Sequence, residues 1–235
     1  MSELAKKEKG NKKFGTKIQP YLYLLPFAIG VIAFTLYPIA NVVLISFKEN
    51  FNYINKTFTG FGFSNYAYIL KDPYFAQAFK NTFSYVFIVI PISTCLAVVI
   101  ANFLNQKIKF SALFQTCYFL PMVTSTVAVG LAWKFMFNYK SGVINYLLNI
   151  FGISSVNWLQ VTTNNFAALC IYGIWSVLPF TVILLLSGLQ NIDPMYYTAA
   201  KVDGASPLKI FFRITIPLLS PTIFLVVIIN TISCF

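Results

Sequence analysis

Histidine is absent from the 235 residues, and acidic residues are few: Glu3, Glu8, Glu49, Asp72, Asp193 and Asp203 are the whole set. None of them falls in the middle of an apolar run. A proton- or ion-coupled carrier keeps ionisable groups at membrane depth, so the sequence contains no relay of that kind. Cys95, Cys117, Cys170 and Cys234 each sit in an apolar run, without metal-ligand spacing and without a disulfide framework. No Ser/His or paired-carboxylate constellation is available for intramembrane catalysis. No catalytic residue, no metal and no cofactor are therefore expected. The phosphate-cradling pattern G-x-x-x-x-G-K-[ST] is missing too, so any energy from ATP has to arrive through another protein.

Charge is low overall. Only 10% of the residues are charged and 58% are hydrophobic, with a mean hydropathy of +0.73. A soluble domain carries about a quarter charged residues, so this chain cannot cover a water-facing surface and belongs in a lipid bilayer. The net charge of +11 does not point to nucleic acid, because its placement is uneven. Lys6, Lys7, Lys9, Lys12, Lys13 and Lys17 crowd the start of the chain. Residues 1–20 read as a basic cytoplasmic tail and 21–235 as one transmembrane domain. The apolar run behind the tail is too long for a signal peptide, and more such runs follow it.

Five runs approach the roughly 20 apolar residues that a spanning helix needs. They are Tyr21–Phe47, Phe83–Phe103, Leu113–Phe137, Phe166–Leu186, and a run that starts near Leu218 and is still continuing at Phe235. The expected fold is an all-α, polytopic bundle of membrane helices. Five spans are visible, and a sixth is expected beyond a C-terminal truncation. The basic residues of the tail, Lys107, Lys109, Lys201, Lys209 and Arg213 fall on one side of this layout. The other side carries only Lys48, Lys56, Lys71, Lys80 and Lys140, which places the N-terminus in the cytoplasm.

Inside the runs stand Pro26, Pro38, Pro91, Pro121 and Pro179, each able to kink a helix or mark a pathway. Small polar residues gather at Ser93–Thr94 and at Thr124–Ser125–Thr126, where gluing helices together is the plainer role. Trp133, Tyr139, Trp158, Tyr172 and Trp175 read as interfacial anchors, with stacking on a sugar ring as the second reading.

The segment 193–217 is different. Asp193 precedes Pro194, a cap followed by the proline suited to the first helical position. Gly204 follows where a left-handed residue would close that helix. Ser206 and Pro207 repeat the start signal, Leu208, Phe211 and Phe212 follow at helical spacing, and Pro217 is expected to end the second helix. The result is a cytoplasmic elbow of two short helices. Ala199 and Ala200 give its first helix a bare surface that another backbone can approach.

Thr198, Ala199 and Ala200, then Gly204, then Ile214, Ile216 and Pro217 resemble the cytoplasmic signature of inner-membrane permeases of binding-protein-dependent ABC importers. That signature is Glu-Ala-Ala, three residues, Gly, nine residues, Ile, one residue, Leu-Pro. Asp203-Gly204-Ala205 resembles the form common in the carbohydrate branch. Thr198 departs from the glutamate and Ile216 from the leucine, and the first change removes one carboxylate contact to an ATPase. The segments Gly62–Thr82 and Leu120–Leu148 resemble further parts of maltose- and glycerol-phosphate-type permeases, with Pro121, Trp133, Phe137, Gly142 and Asn145 at familiar positions.

The resemblance implies a six-helix core and a multi-pass location in the cell membrane. It also implies partners: a second permease subunit, cytoplasmic ATP-binding subunits and an extracytoplasmic solute-binding protein. Thr198, Ala199, Ala200, Asp203, Gly204, Ala205, Ile214 and Pro217 would form the ATPase-coupling site. The substrate would be a sugar, oligosaccharide or polyol phosphate. A non-sugar solute, or a stand-alone channel or secondary transporter, is the alternative.

Overall fold

The computed structural model describes residues 19–106 and 111–235. The basic tail up to Ile18, with its six lysines, and Lys107 and Lys109 of the cytoplasmic count lie outside the described residues. The chain divides into two compact units that meet in sequence at Ala78 and Phe79.

The first unit begins with α1, Gln19–Ser46, long and apolar enough to cross a membrane and without a buried residue in its apolar window. Its C-terminal end is tied into a small cap. Strands β1 (Lys48–Glu49) and β2 (Gly60–Phe61) pair antiparallel, Lys48 with Phe61 and Glu49 with Gly60. The Lys48 ammonium sits 4.9 Å from the Phe58 ring centre and 5.3 Å from that of Phe51. Helix α2, Ser64–Lys71, is anchored by Asn65, whose amide donates to the carbonyls of Ser46 and Lys48 at 3.0 Å each.

Helix α3, Pro73–Leu104, starts ten residues before the predicted span. Pro73 opens it, and the Asp72 carboxylate accepts from Tyr74 N–H at 2.9 Å, so the start signal is local rather than hydropathic. Its 32 residues reach about 48 Å, well past a hydrocarbon core of about 30 Å.

In the second unit, α3 is followed by α4 (Ser111–Val123), α5 (Thr126–Met136), α6 (Val143–Ile150), α7 (Thr162–Gln190), α8 (Pro194–Val202) and α9 (Pro207–Cys234). The described residues thus hold four helices of spanning length, and the predicted third span is broken into α4 and α5. At the break Ser125 leaves the helical region, with ψ 127°, and the Thr124 hydroxyl bonds back to the Leu120 carbonyl at 2.9 Å.

The core lies where α3, α7 and α9 meet. Ala97, Val98, Ala101 and Leu104 of α3 pack with Val182, Leu185, Leu186 and Leu189 of α7 and with Leu219 and Val226 of α9. Small residues let these backbones approach. Ser93 is fully buried, and the Asn230 amide donates to the Thr181 hydroxyl at 2.9 Å within the core. Thr181 passes its own proton to the Val177 carbonyl.

Proline in these helices is handled in a way the sequence reading missed. Pro217 does not end the second elbow helix, because α9 runs unbroken from Pro207 to Cys234. Just before Pro217 the helix widens to a π turn, Phe211–Thr215, with Ile216 N–H bonded to the Phe211 carbonyl five residues back. The same device precedes Pro38, with a π turn at Ile32–Leu36 and Tyr37 N–H on the Ile32 carbonyl. A proline ring normally collides with the carbonyl four residues earlier, and a widened turn takes up the mismatch without breaking the helix.

A close α7–α9 approach at Gly188 yields a test. A Cβ on Gly188 would stand 2.7 Å from the Thr222 hydroxyl and 2.9 Å from a Leu219 methyl, whereas one on Gly30 of α1 meets nothing within 4 Å. Gly188→Val is expected to cost about 1–3 kcal/mol by overpacking. Gly30→Ala is expected to be neutral or to gain up to about 1 kcal/mol of helix propensity. Thermal unfolding of the detergent-solubilised protein measures both, and a Gly188→Val midpoint at or above the parent's would contradict the packing described.

Candidate functional site: elbow and cavity

The elbow forms as its residues dictate. Asp193 caps α8, accepting from Met195 N–H at 2.8 Å. At the other end Asp203 is the last cap, Gly204 turns left-handed at φ +69°, and two reverse bonds close the helix. Ala205 N–H donates to the Ala200 carbonyl at 2.9 Å and Gly204 N–H to that of Lys201 at 3.1 Å, a Schellman closure. Ser206 then caps α9, accepting from Lys209 N–H at 3.4 Å.

The expected coupling residues take two positions. Thr198, Ala199, Asp203, Gly204 and Pro217 are exposed, Ala205 and Ile214 are half-buried, and Ala200 is buried. Thr198 turns its hydroxyl onto its own helix, to the Pro194 carbonyl at 3.1 Å. Exposed Met195, Tyr196, Val202 and Leu208 add apolar surface to the elbow. The elbow is held firmly at both ends. Only Asn191–Asp193 separate α7 from α8, and Ile192 packs on the core. On the far side α9 continues without a break from the elbow into the core at Leu219. The Thr215 hydroxyl donates to the Tyr197 hydroxyl at 3.4 Å, linking α8 to α9.

The second feature is a cavity of about 190 Å³ at the α4–α5 break, lined by Pro121, Thr124, Thr126, Tyr172, Trp175 and Pro179 among others. Two helix-interior prolines thus face one space. The first turn of α5 has no side-chain cap, so its N–H groups are open to water or a polar solute. Trp175 and Tyr172 belong to a ring cluster with Trp133, whose centre lies 5.3 Å from Trp175 and 5.8 Å from Tyr172. A more apolar groove of about 270 Å³, lined by Trp133, Lys134, Phe137 and Asn165, shares Tyr172 with the cavity. Hydroxyls, indoles and open amides together suit a polar solute with apolar faces. Five aromatics stood out in the sequence as interfacial anchors, and the structure draws Trp133, Tyr172 and Trp175 into this cluster while Tyr139 lies exposed in a loop. The signals that mark the cavity in the sequence are Pro121, Pro179 and the Thr124–Ser125–Thr126 triplet, but which helices meet around them is not written locally.

The profile of the family described as "Binding-protein-dependent transport system inner membrane component" matches residues 93–235, which include the cavity and the elbow. The chain belongs to that family. It is 34% identical over 214 residues to the trehalose/maltose transport system permease protein MalF of Thermococcus litoralis, covering 91% of this chain and 72% of that one. It is 31% identical over 224 residues to the arabinooligosaccharides transport system permease protein AraP of Bacillus subtilis, covering 94% of this chain and 70% of that one. Its fold matches a chain in the crystal structure of a bacterial ABC transporter involved in the import of the acidic polysaccharide alginate. The TM-score is 0.79 at 24% identity, over 94% of this chain and 75% of the other. The chain is thus a multi-pass inner-membrane permease of the ABC importer type, and its relatives are transport permeases.

The elbow's caps give the next test. Asp193→Ala is expected to cost about 1 kcal/mol, making amide exchange across 194–202 about fivefold faster. Exchange in α3 and α7 should be unchanged. Hydrogen–deuterium exchange of the protein in nanodiscs reads both, and unaltered exchange in α8 would count against the cap.

Proposed function

We propose that this permease forms the substrate pathway of an ATP-driven carbohydrate importer. The substrate class is a sugar, oligosaccharide or polyol phosphate, handed over by an extracytoplasmic binding protein. A second permease subunit completes the pathway, and cytoplasmic ATP-binding subunits drive it through the elbow at 193–217. The N-terminus lies in the cytoplasm. The printed functions of the trehalose/maltose and arabinooligosaccharide relatives support the substrate class, as does the aromatic and hydroxyl lining of the cavity.

The observation that carries the reading is the elbow's suspension between two core helices, one of which walls the cavity. Helix α8 and the start of α9 present a small, capped, partly apolar surface suited to a groove on an ATPase. Thr198, Ala199, Asp203 and Gly204 face outward there, and Pro217 is exposed further along α9; Ala200, Ala205 and Ile214 hold the shape beneath. When paired ATPases close on ATP, a displaced elbow would draw on α7 and α9. Tyr172, Trp175 and Pro179 ride on α7, so the cavity would change with the elbow.

Two variants separate docking from passage. A side chain at Gly204 meets no atoms, so its cost is backbone strain at positive φ, about 1–2 kcal/mol for an ordinary residue and more for a β-branched one. Gly204→Val is expected to lose the ATPase in affinity purification from gently solubilised membranes, with the spans intact. Trp175→Ala is expected to keep the ATPase and lose uptake of the sugar. Recovery of no nucleotide-binding subunit with the parent chain would overturn the importer reading. A Gly204→Val variant that retains its ATPase and transports normally would overturn the elbow as the docking site.

A further inference from the structure

The loop after α5 is folded unusually tightly for an exposed segment. Helix α5 ends at Met136, and Asn138 turns the chain by accepting from Lys140 and Ser141 N–H at 3.0 and 3.1 Å. Gly142 then presses back on the helix end, where a Cβ would stand 2.5 Å from the Met136 carbonyl oxygen and 2.8 Å from Asn138 N. Only glycine fits. Three residues on, in the first turn of α6, comes Asn145, 2% exposed.

Every polar atom of the Asn145 side chain is engaged. Its amide nitrogen donates to the carbonyls of Tyr139 at 3.1 Å, Val156 at 2.9 Å and, at a longer 3.4 Å, Asn138. Its oxygen accepts from Val156 N–H at 3.1 Å and from the Trp158 indole N–H at 2.9 Å. One side chain thus joins the exit of α5 to a strand-like segment more than ten residues away. From Trp158 a run of rings continues inward. Trp158 lies 5.5 Å from Phe137, which is 4% exposed, and Phe137 lies 5.3 Å from Trp133. Trp133 backs Tyr172 and Trp175, the rings that line the cavity.

We infer that Asn145 is a positioning residue. It welds the 137–158 loop to the ring cluster, so that the loop and Trp133, which backs the cavity wall, move as one piece. The consequence deepens the proposed function and rests on it: a load applied to this loop from outside reaches the cavity through packed rings, with no jointed segment to absorb it. The physical link itself is independent of what the cavity holds. An ordinary structural asparagine would steady the loop and leave Trp133 alone.

The chain has three tryptophans, Trp133, Trp158 and Trp175, so 5-fluorotryptophan labelling of the full chain in nanodiscs gives three fluorine resonances, assignable by single Trp→Phe changes. Asn145→Ala is expected to displace or broaden both the Trp158 and the Trp133 resonances, although Asn145 touches only the first. Trp158→Phe keeps the ring and removes the indole N–H. It is expected to displace Trp133 too, and it decides the matter should Asn145→Ala fail to reach the membrane. Asn149→Ala is the control, since that side chain bonds to Ser155 within the same loop; Trp133 should not respond. A Trp133 resonance that stays in place while Trp158 shifts would reduce Asn145 to a loop staple and overturn the inference. The readout needs neither sugar nor ATPase, so its failure is separate from any failure of the proposed function.

Discussion

Inside a bilayer an unpaired backbone amide or carbonyl costs several kcal/mol, and this requirement organises the chain. Long helices meet it everywhere except where the helical ladder is interrupted. Among the described residues of the second unit, two such interruptions are the 124–125 break and the π turn before Pro217, beside the interior prolines Pro91, Pro121, Pro179 and Pro221. The first opens onto the cavity, and the second lies where the elbow passes into α9. Irregular backbone at membrane depth is tolerated where it lines a polar space or is buried in protein. The places where the ladder fails are therefore the places where a pathway and a moving part can be built.

The two π turns show how a proline is kept in a helix that must stay continuous. At Pro38 and at Pro217 the residue just before the proline bonds five residues back. The wider turn spares the helix a collision, and α9 retains a mechanical connection from Pro207 through to Cys234. Had Pro217 ended the helix, as its sequence context implied, the elbow would hang from a flexible joint. A displacement of the elbow would then be lost before it reached Leu219 and Val226 in the core.

What was legible in the sequence follows the range of the forces involved. The elbow was readable residue by residue, because Asp193, Pro194, Gly204, Ser206 and Pro207 each act on atoms within a few positions. The membrane class was readable from composition alone. The outcome at Pro217 was not, because whether proline breaks or widens a helix depends on how the flanking turns are held by α7 and α3. The third span misled for the opposite reason. Its hydropathy is continuous, but the backbone leaves the helix at Ser125. The cavity depended on which helices pair, and Asn145 on bonds to residues eleven and thirteen positions away.

These parts form a path with stiff connections at both ends. At one end, the elbow is bounded by a three-residue link to α7 and by an unbroken α9. At the other end, the loop is locked to the end of α5 by Asn145 and Gly142. Between them lie the rings of Trp133, Tyr172 and Trp175, carried on α5 and α7. The cavity wall includes two helices, one continued into the elbow and the other into the loop, with no flexible linker between. A flexible linker at either end would let that end move without disturbing the rings. The lining of that cavity carries hydroxyls and rings but no acidic or basic side chain. In the proposed importer, mechanical continuity of this kind would take the place of internal chemistry.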